Sequence, residues 1–140
     1  MSSERKRKKL TPVSVIDISE ISSGVYYLKL ERIVDFIPGQ VIALAMQTNL
    51  EPRLYSIASG LKDNYIGILF DINPDGELTP QLAALTNGDP VFASDPFGKF
   101  NCSPDRAVWI ATGTGIAPFI SMVRSGRTRN VQLIHGARYL

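Results

Sequence analysis

Between Pro12 and Ser94 the sequence returns repeatedly to short apolar runs, each closed off by residues that turn a chain, and this rhythm restricts the fold more than any other feature. Pro12 to Ser19 sets Val13, Val15, Ile16 and Ile18 against Ser14, Asp17 and Ser19, which suits a strand with one wet face. Ser22-Ser23-Gly24 marks a turn, and Val25 to Leu30, rich in aromatic and branched residues, is the expected hairpin partner. Beyond the turn Phe36-Ile37-Pro38-Gly39-Gln40, further strands are expected at Val41 to Met46, at Arg53 to Ser59 after Pro52, and at Tyr65 to Ile72. Asn73-Pro74-Asp75-Gly76 breaks the last of these. Leu78 to Leu85 has the leucine and alanine content of a short helix, and Thr79-Pro80 suits its opening, because proline loses no hydrogen bond in a first helical turn. Asn87-Gly88-Asp89 turns the chain into one more strand, Pro90 to Ser94. Five or six short strands with hairpin signals and one small helix predict an all-β antiparallel barrel of Greek-key type. Closure removes the unpaired edges that an open sheet of this size would have to protect.

From Asp95 the pattern changes. Pro96-Phe97-Gly98-Lys99-Phe100 reads as a loop, after which Ala107 to Ala111 is apolar at every position, as expected for a strand buried on both faces of a parallel sheet. Gly113-Thr114-Gly115 follows, then apolar residues at helical spacing from Ile116 to Val123, a stop at Arg124-Ser125-Gly126, and a strand from Val131 to Ile134. Strand, glycine turn, helix and strand make a βαβ unit with a right-handed connection. Two strands and one helix cannot cover both faces of a sheet, so the expected division is a basic tail over 1–10, a barrel domain over 11–101 and an incomplete α/β domain over 102–140.

The 140 residues suffice for one domain and part of another, and 44% hydrophobic with 20% charged residues is ordinary for a soluble protein. No run approaches the roughly 20 apolar residues of a membrane span, and no apolar segment follows the charged N-terminus, so a cytoplasmic protein is expected. One Cys and one His exclude an internal disulfide, a structural zinc site and a haem-attachment motif, and Cys102, with no cationic neighbour evident, is expected to be inert. The net charge of +2 is uneven: Arg5, Lys6, Arg7, Lys8 and Lys9 face only Glu4 in the tail, which leaves 10 cations and 12 anions in the rest. Such a tail repels itself and is expected to be disordered; its field could attract an acidic partner, nucleic acid or membrane surface, but no nucleic-acid partner is expected for the protein.

Two stretches carry chemistry. In Arg53-Leu54-Tyr55-Ser56 the strand period of two places Arg53 and Tyr55 on one face, Leu54 and Ser56 on the other. A guanidinium fork suits a phosphate and a phenol ring suits a flat heterocycle, although the same pattern fits a plain strand with a surface Arg and a half-buried Tyr. Gly113-Thr114-Gly115, at the carboxyl end of a buried strand and the start of a helix, gathers unpaired amides where an anion can approach. It lacks the full G-x-G-x-x-G spacing, since Pro118 stands where the last glycine would, and tight turns also use G-x-G without a ligand. Trp109 reads as a core residue and His135 as structural. Arg124, Arg127 and Arg129 surround a helix end, where cations favour the dipole, and could also meet an acidic electron carrier.

Taken in order, Pro38-Gly39-Gln40, Arg53-Leu54-Tyr55-Ser56, Asp75-Gly76-Glu77-Leu78-Thr79 with Leu82, Ala111-Thr112-Gly113-Thr114-Gly115-Ile116-Ala117-Pro118 and His135-Gly136-Ala137-Arg138-Tyr139 resemble the ferredoxin–NADP reductase superfamily, above all its bacterial ferredoxin or flavodoxin reductases. The resemblance spans about residues 11 to 140 and implies an FAD-binding barrel followed by a domain for NADP(H). It implies Arg53 on the FAD pyrophosphate, Tyr55 against the isoalloxazine ring and Ser56 near flavin N5, with Leu54 in the same motif. Glu77, Leu78 and Thr79 match the segment holding the FAD phosphates, and Leu69 and Phe70 the strand passing its adenosine side. Thr114 would contact flavin and nicotinamide at the domain boundary, with Gly113 and Gly115 beside it letting a phosphate approach the backbone, and Arg138 would meet the phosphates of NADPH. The implied activity carries a hydride from NADPH to the flavin and single electrons on to ferredoxin or flavodoxin. Relatives such as oxygenase reductase components or flavin reductases, and a non-catalytic FAD-binding module, are the alternatives. The family's nucleotide domain extends well beyond the match, so the expectation is a chain truncated within that domain, with its own activity open and its apolar strands half covered.

Overall fold

The computed structural model describes residues 7–100 and 106–138; Cys102, most of the basic tail and the expected boundary at 101/102 lie outside them. The elements run β1 (Thr11–Ser22), β2 (Val25–Glu31), β3 (Val41–Ala45), β4 (Arg53–Ser56), β5 (Tyr65–Asp71), α1 (Leu78–Ala83), β6 (Pro90–Ala93), β7 (Ala107–Thr112), a 3-10 turn (Gly113–Ile116), α2 (Ala117–Arg124) and β8 (Val131–Gly136). β1 to β6 form one antiparallel sheet in the order β4-β3-β6-β1-β2-β5, and β7 pairs with β8 in parallel.

The six-stranded sheet curls until its two ends meet. Beyond Ser56 the chain changes partner: Ile57 N still donates to Gln40 O at 3.0 Å, whereas Ala58 N donates to Gly67 O at 2.8 Å on β5. An isolated bridge between Ile57 and Ile68 completes this closure. That is why β4 stops at Ser56 rather than at the expected Ser59: the last three residues leave β3 to reach β5. Inside, Leu28, Leu30, Leu44, Ile57, Ile68, Phe70 and Val91 are at most 1% exposed. At roughly 1.5–3 kcal/mol per fully buried side chain they supply the main drive for the barrel.

The pattern along β1 explains an irregularity. Val13 and Val15 keep one phase and Ile16 and Ile18 the other, which a regular strand cannot bury on one face. The register against β2 shifts between Val15 and Asp17, a bulge that leaves Ile16 43% exposed and packs Ile18 against the core. Pro38-Gly39-Gln40 has an equally local reason. Gly39 takes φ +101°, and a Cβ there would fall on the carbonyl oxygen of Phe100. Gln40 turns its side chain back, accepting Ile37 N at 2.8 Å. The loop around Phe97 is more ordered than expected, since Phe97 exchanges two 2.9 Å backbone bonds with Val41. Lys8, from the tail, sits over its ring at 4.0 Å.

The βαβ unit departs from one expectation. β7 alternates instead of being buried throughout: Trp109 and Ala111 are covered, while Val108 and Ile110 are 57% and 70% exposed. α2 packs on one face only, with Trp109 stacked on Phe119 at 5.1 Å, and among the described residues nothing covers the other. The expected half cover of these strands is therefore what the structure has, with Ile134 58% exposed on β8. The helix also begins differently, because Gly113–Ile116 coil as a 3-10 turn directly into α2, with Pro118 in the first turn. No helix among the described residues is long and apolar enough to cross a membrane.

Candidate functional site

An open cavity of about 590 Å³ lies between the outer edge of the barrel and the start of α1, lined by Arg53, Leu54 and Tyr55 from β4, Glu77, Leu78 and Thr79 from the helix entry, and Ala45, Met46, Leu50, Glu51, Asn73, Gly76 and Gln81. Two motifs separated by more than twenty residues thus share one wall and floor. Arg53 is exposed and enters no ion pair among the described residues, so its guanidinium is available to a ligand. Tyr55 is half-buried, and burial pushes its hydroxyl above the ordinary tyrosine range despite the opposing charge of Arg53. Leu54, expected on the opposite face, lines the cavity as well, 60% exposed. β4 is a four-residue strand hydrogen-bonded along its length only to β3, and the cavity reaches around its free edge.

The helix entry is shaped by Asn73. Its side chain accepts Asp75 N at 3.2 Å and its carbonyl accepts Gly76 N at 2.9 Å, a turn of the kind asparagine favours. The Thr79 hydroxyl accepts Asn73 N at 2.8 Å and donates to Asn73 O at 3.3 Å, so it braces this loop. No side chain caps the start of α1, and Glu77, Leu78 and Thr79 at that start line the cavity.

The other candidate residues take different places. Phe70 is 1% exposed inside the barrel, stacked on Tyr26 at 5.4 Å and edge-on to Tyr55 at 6.5 Å. Its ring stands behind Tyr55 and does not line the cavity. Leu69 is 9% exposed and packs with Ala58 and Ala117, under the entry to α2. Ser56 is half-buried beside Tyr55, paired with Val41, and outside the cavity lining.

Gly113, Thr114 and Gly115 form a second locus at the carboxyl ends of the parallel strands. Gly113 adopts φ +51°, and a Cβ there would come within 4.0 Å of the Asp71 carboxylate at the end of β5. Nothing lies within 4 Å of a Cβ placed on Gly115, so the chain itself does not require that glycine. Since Thr112 pairs with Gly136, the exposed Arg138 emerges at the same end of the sheet as the glycine turn. His135 Nε2 lies 3.0 Å from Gly113 O and ties β8 to this turn. The loop from Asp71 to Thr79 leads from this locus to the cavity, so both motifs gather at one end of the barrel. Of the three helix-end arginines, Arg124 is engaged: its Nε and Nη2 each donate to Asp63 at 2.8 Å. Leu50 and Glu51, also in the lining, carry no signal in the sequence, and Asn73 shows there only as the start of the turn that breaks a strand.

No family model matches the chain. Sequence comparison finds the flavodoxin/ferredoxin–NADP reductase of Shigella flexneri, 35% identical over 118 residues, covering 76% of this chain and 48% of the relative. The 2-halobenzoate 1,2-dioxygenase electron transfer component of Burkholderia cepacia is 34% identical over 112 residues, covering 74% and 33%. Among solved structures, a ferredoxin NADP+ reductase from Neisseria gonorrhoeae with bound FAD and NADP superposes with a TM-score of 0.78 at 23% identity, over 92% of this chain and 58% of that one. The chain spans about half the length of the curated reductases it matches. An antiparallel barrel running into a βαβ unit and relatives above 30% identical over about three quarters of its length together show that the chain belongs to the ferredoxin–NADP reductase superfamily.

Proposed function

We propose that this chain binds FAD in the cavity between β4 and α1, and that it serves electron transfer from NADPH to ferredoxin or flavodoxin in the cytoplasm. The observation that carries this reading is the convergence on one cavity of a guanidinium with no ion-pair partner among the described residues, a half-buried phenol and the uncapped entry of α1 at Glu77, Leu78 and Thr79. These groups match a ligand that is anionic in its middle and flat and aromatic at one end. Arg53 pairs with the diphosphate in a charge-assisted contact, and the amides of Glu77, Leu78 and Thr79 take the adjoining oxygens. Tyr55 lies against the tricyclic ring, held from behind by Phe70. Ser56, next to Tyr55 but just outside the cavity lining, is the residue assigned to the ring's N5 edge, while Phe70 supports the Tyr55 ring from inside the barrel and Leu69 packs beneath α2, neither lining the cavity.

When bound, a flavin would supply the redox chemistry, exchanging electrons in pairs with a nicotinamide and singly with a carrier. This chain's residues orient the rings and exclude water. Gly113, Thr114 and Gly115 meet the nicotinamide, and Arg138, at the same end of the parallel strands, meets the phosphates. No side chain needs to act as acid or base in that step.

The similarity to a dioxygenase electron transfer component supports a second reading, in which the acceptor is an oxygenase partner. The absorbance spectrum of purified protein, recorded before and after anaerobic addition of NADPH, tests the proposal. A bound flavin band that bleaches is expected. A folded, colourless protein that takes up no FAD would refute it, and a flavin band that NADPH cannot bleach would reduce the chain to a flavin-binding module.

A further inference from the structure

The two units meet along a seam that the proposed chemistry leaves unused. α2 rests on the loop joining β4 to β5, where the Ser121 hydroxyl donates to Ser59 O at 2.6 Å with both serines 0% exposed. The Ser59 hydroxyl accepts Gly67 N at 2.8 Å, so the connection from α2 continues into β5. A turn further on, Leu61 N donates to the Ser125 hydroxyl at 3.1 Å and Arg124 grips Asp63 with two bonds. Asp63 also accepts Gly60 N at 2.7 Å, which shapes the loop before the helix arrives. A Cβ at Gly60 would stand 2.7 Å from the Arg124 backbone, so only a glycine allows this approach.

A lone exposed ion pair is a weak tie, because solvent screens it and two long side chains must be ordered. This pair is bidentate, shares its helix with a buried hydroxyl bond, and sits at the opposite end of that helix from the apolar contact of Ala117 with Ala58 and Leu69, so α2 is held at both ends. The asymmetry of buried hydrogen bonds strengthens the tie, since swinging α2 away would leave Ser59 O without its partner. The 3-10 turn bearing Gly113, Thr114 and Gly115 runs directly into α2, so whatever holds α2 also holds that turn.

We infer that Ser121, Arg124 and Asp63 are positioning residues that hold the glycine turn in one orientation over the barrel, which sets the height at which a nicotinamide would meet the flavin. The ligands named here rest on the function proposed above; the fixed orientation does not.

Nitroxide labels at Ser19→Cys on β1 and Gln132→Cys on β8, in a Cys102→Ser background, report the separation of the two units by electron–electron resonance on the full chain without FAD. The parent should give a single narrow distance, Ser121→Ala/Arg124→Gln a clearly broader distribution, and Arg124→Lys a width between them. Equal widths in the parent and the double variant, or a broad distribution in the parent, would overturn the inference. In FAD-loaded protein the double variant should bleach with NADPH at least about fivefold more slowly, while its FAD dissociation constant stays within about twofold. Parallel loss of FAD affinity would make the seam merely structural and overturn the positioning role. A parent that takes up no FAD removes the cofactor reading, and the label distances still decide the orientation.

Discussion

Replacing Arg53 by alanine separates ligand binding from folding more cleanly than any other change in the cavity. Arg53 is exposed, and among the described residues its guanidinium has no carboxylate partner, so its removal strands no buried charge and opens no core void. A hydrogen bond to a charged group is worth about 1.5–3 kcal/mol, and about 2 kcal/mol corresponds to a weakening of FAD binding of roughly thirtyfold. The neighbouring Tyr55 would lose the one cation that opposes the burial-driven rise of its hydroxyl pKa. Tyr55 should stay protonated at neutral pH in either form, so the change in binding reports the phosphate contact alone. Quenching of FAD fluorescence by titration with protein measures the affinity, and thermal melting of the ligand-free chain measures the fold. The expected result is a thirtyfold change in the first with no change in the second. An affinity within about threefold of the parent would refute the pairing of Arg53 with the diphosphate, and a lowered melting temperature would show a structural role instead.

Gly39→Ala should destabilise the chain by at least about 2 kcal/mol, read from urea unfolding, because the new methyl would collide with Phe100 O at a backbone angle that L residues rarely adopt. Asp63 is held below the usual carboxylate range mainly by its hydrogen bond from Arg124. With a depressed folded-state pKa the unfolded chain binds protons first, so the contribution is present above about pH 4 and lost as the pH falls through the folded value. The melting temperatures of the parent and Asp63→Asn should therefore differ at pH 7 and converge in acid; a difference that persists at the acid end would contradict the pairing. Ile110→Lys, on the uncovered face of β7, should change stability by no more than about 0.5 kcal/mol while raising solubility, and a loss above about 1 kcal/mol would mean that this face is covered.

The alternation of apolar and polar residues, the turn residues between the runs and the apolar stretch before Gly113 were enough to foresee an antiparallel barrel followed by a βαβ unit. These signals are local: the period of a strand, the need of Gly39 and Gly113 for positive φ and the fit of Pro118 to a first helical turn all act within a few residues. Even the bulge in β1 is written in the phase change from Val15 to Ile16. What the sequence left open depends on which distant segments meet. That Leu54 shares a cavity with Arg53 and that Phe70 stands behind Tyr55 follow from barrel closure and from the edge position of β4. Arg124 read as one of three arginines at a helix end until the packing of α2 on the loop between β4 and β5 brought Asp63, 61 residues away along the chain, within reach of its fork. Likewise, Ala107 to Ala111 is apolar throughout, yet only the packing of α2 on one side decides which of its residues are buried. Chain periodicity sets the elements and their faces, because those depend on neighbours along the backbone; partners across the barrel are set by topology, which brings together groups whose spacing in sequence carries no signal of their meeting.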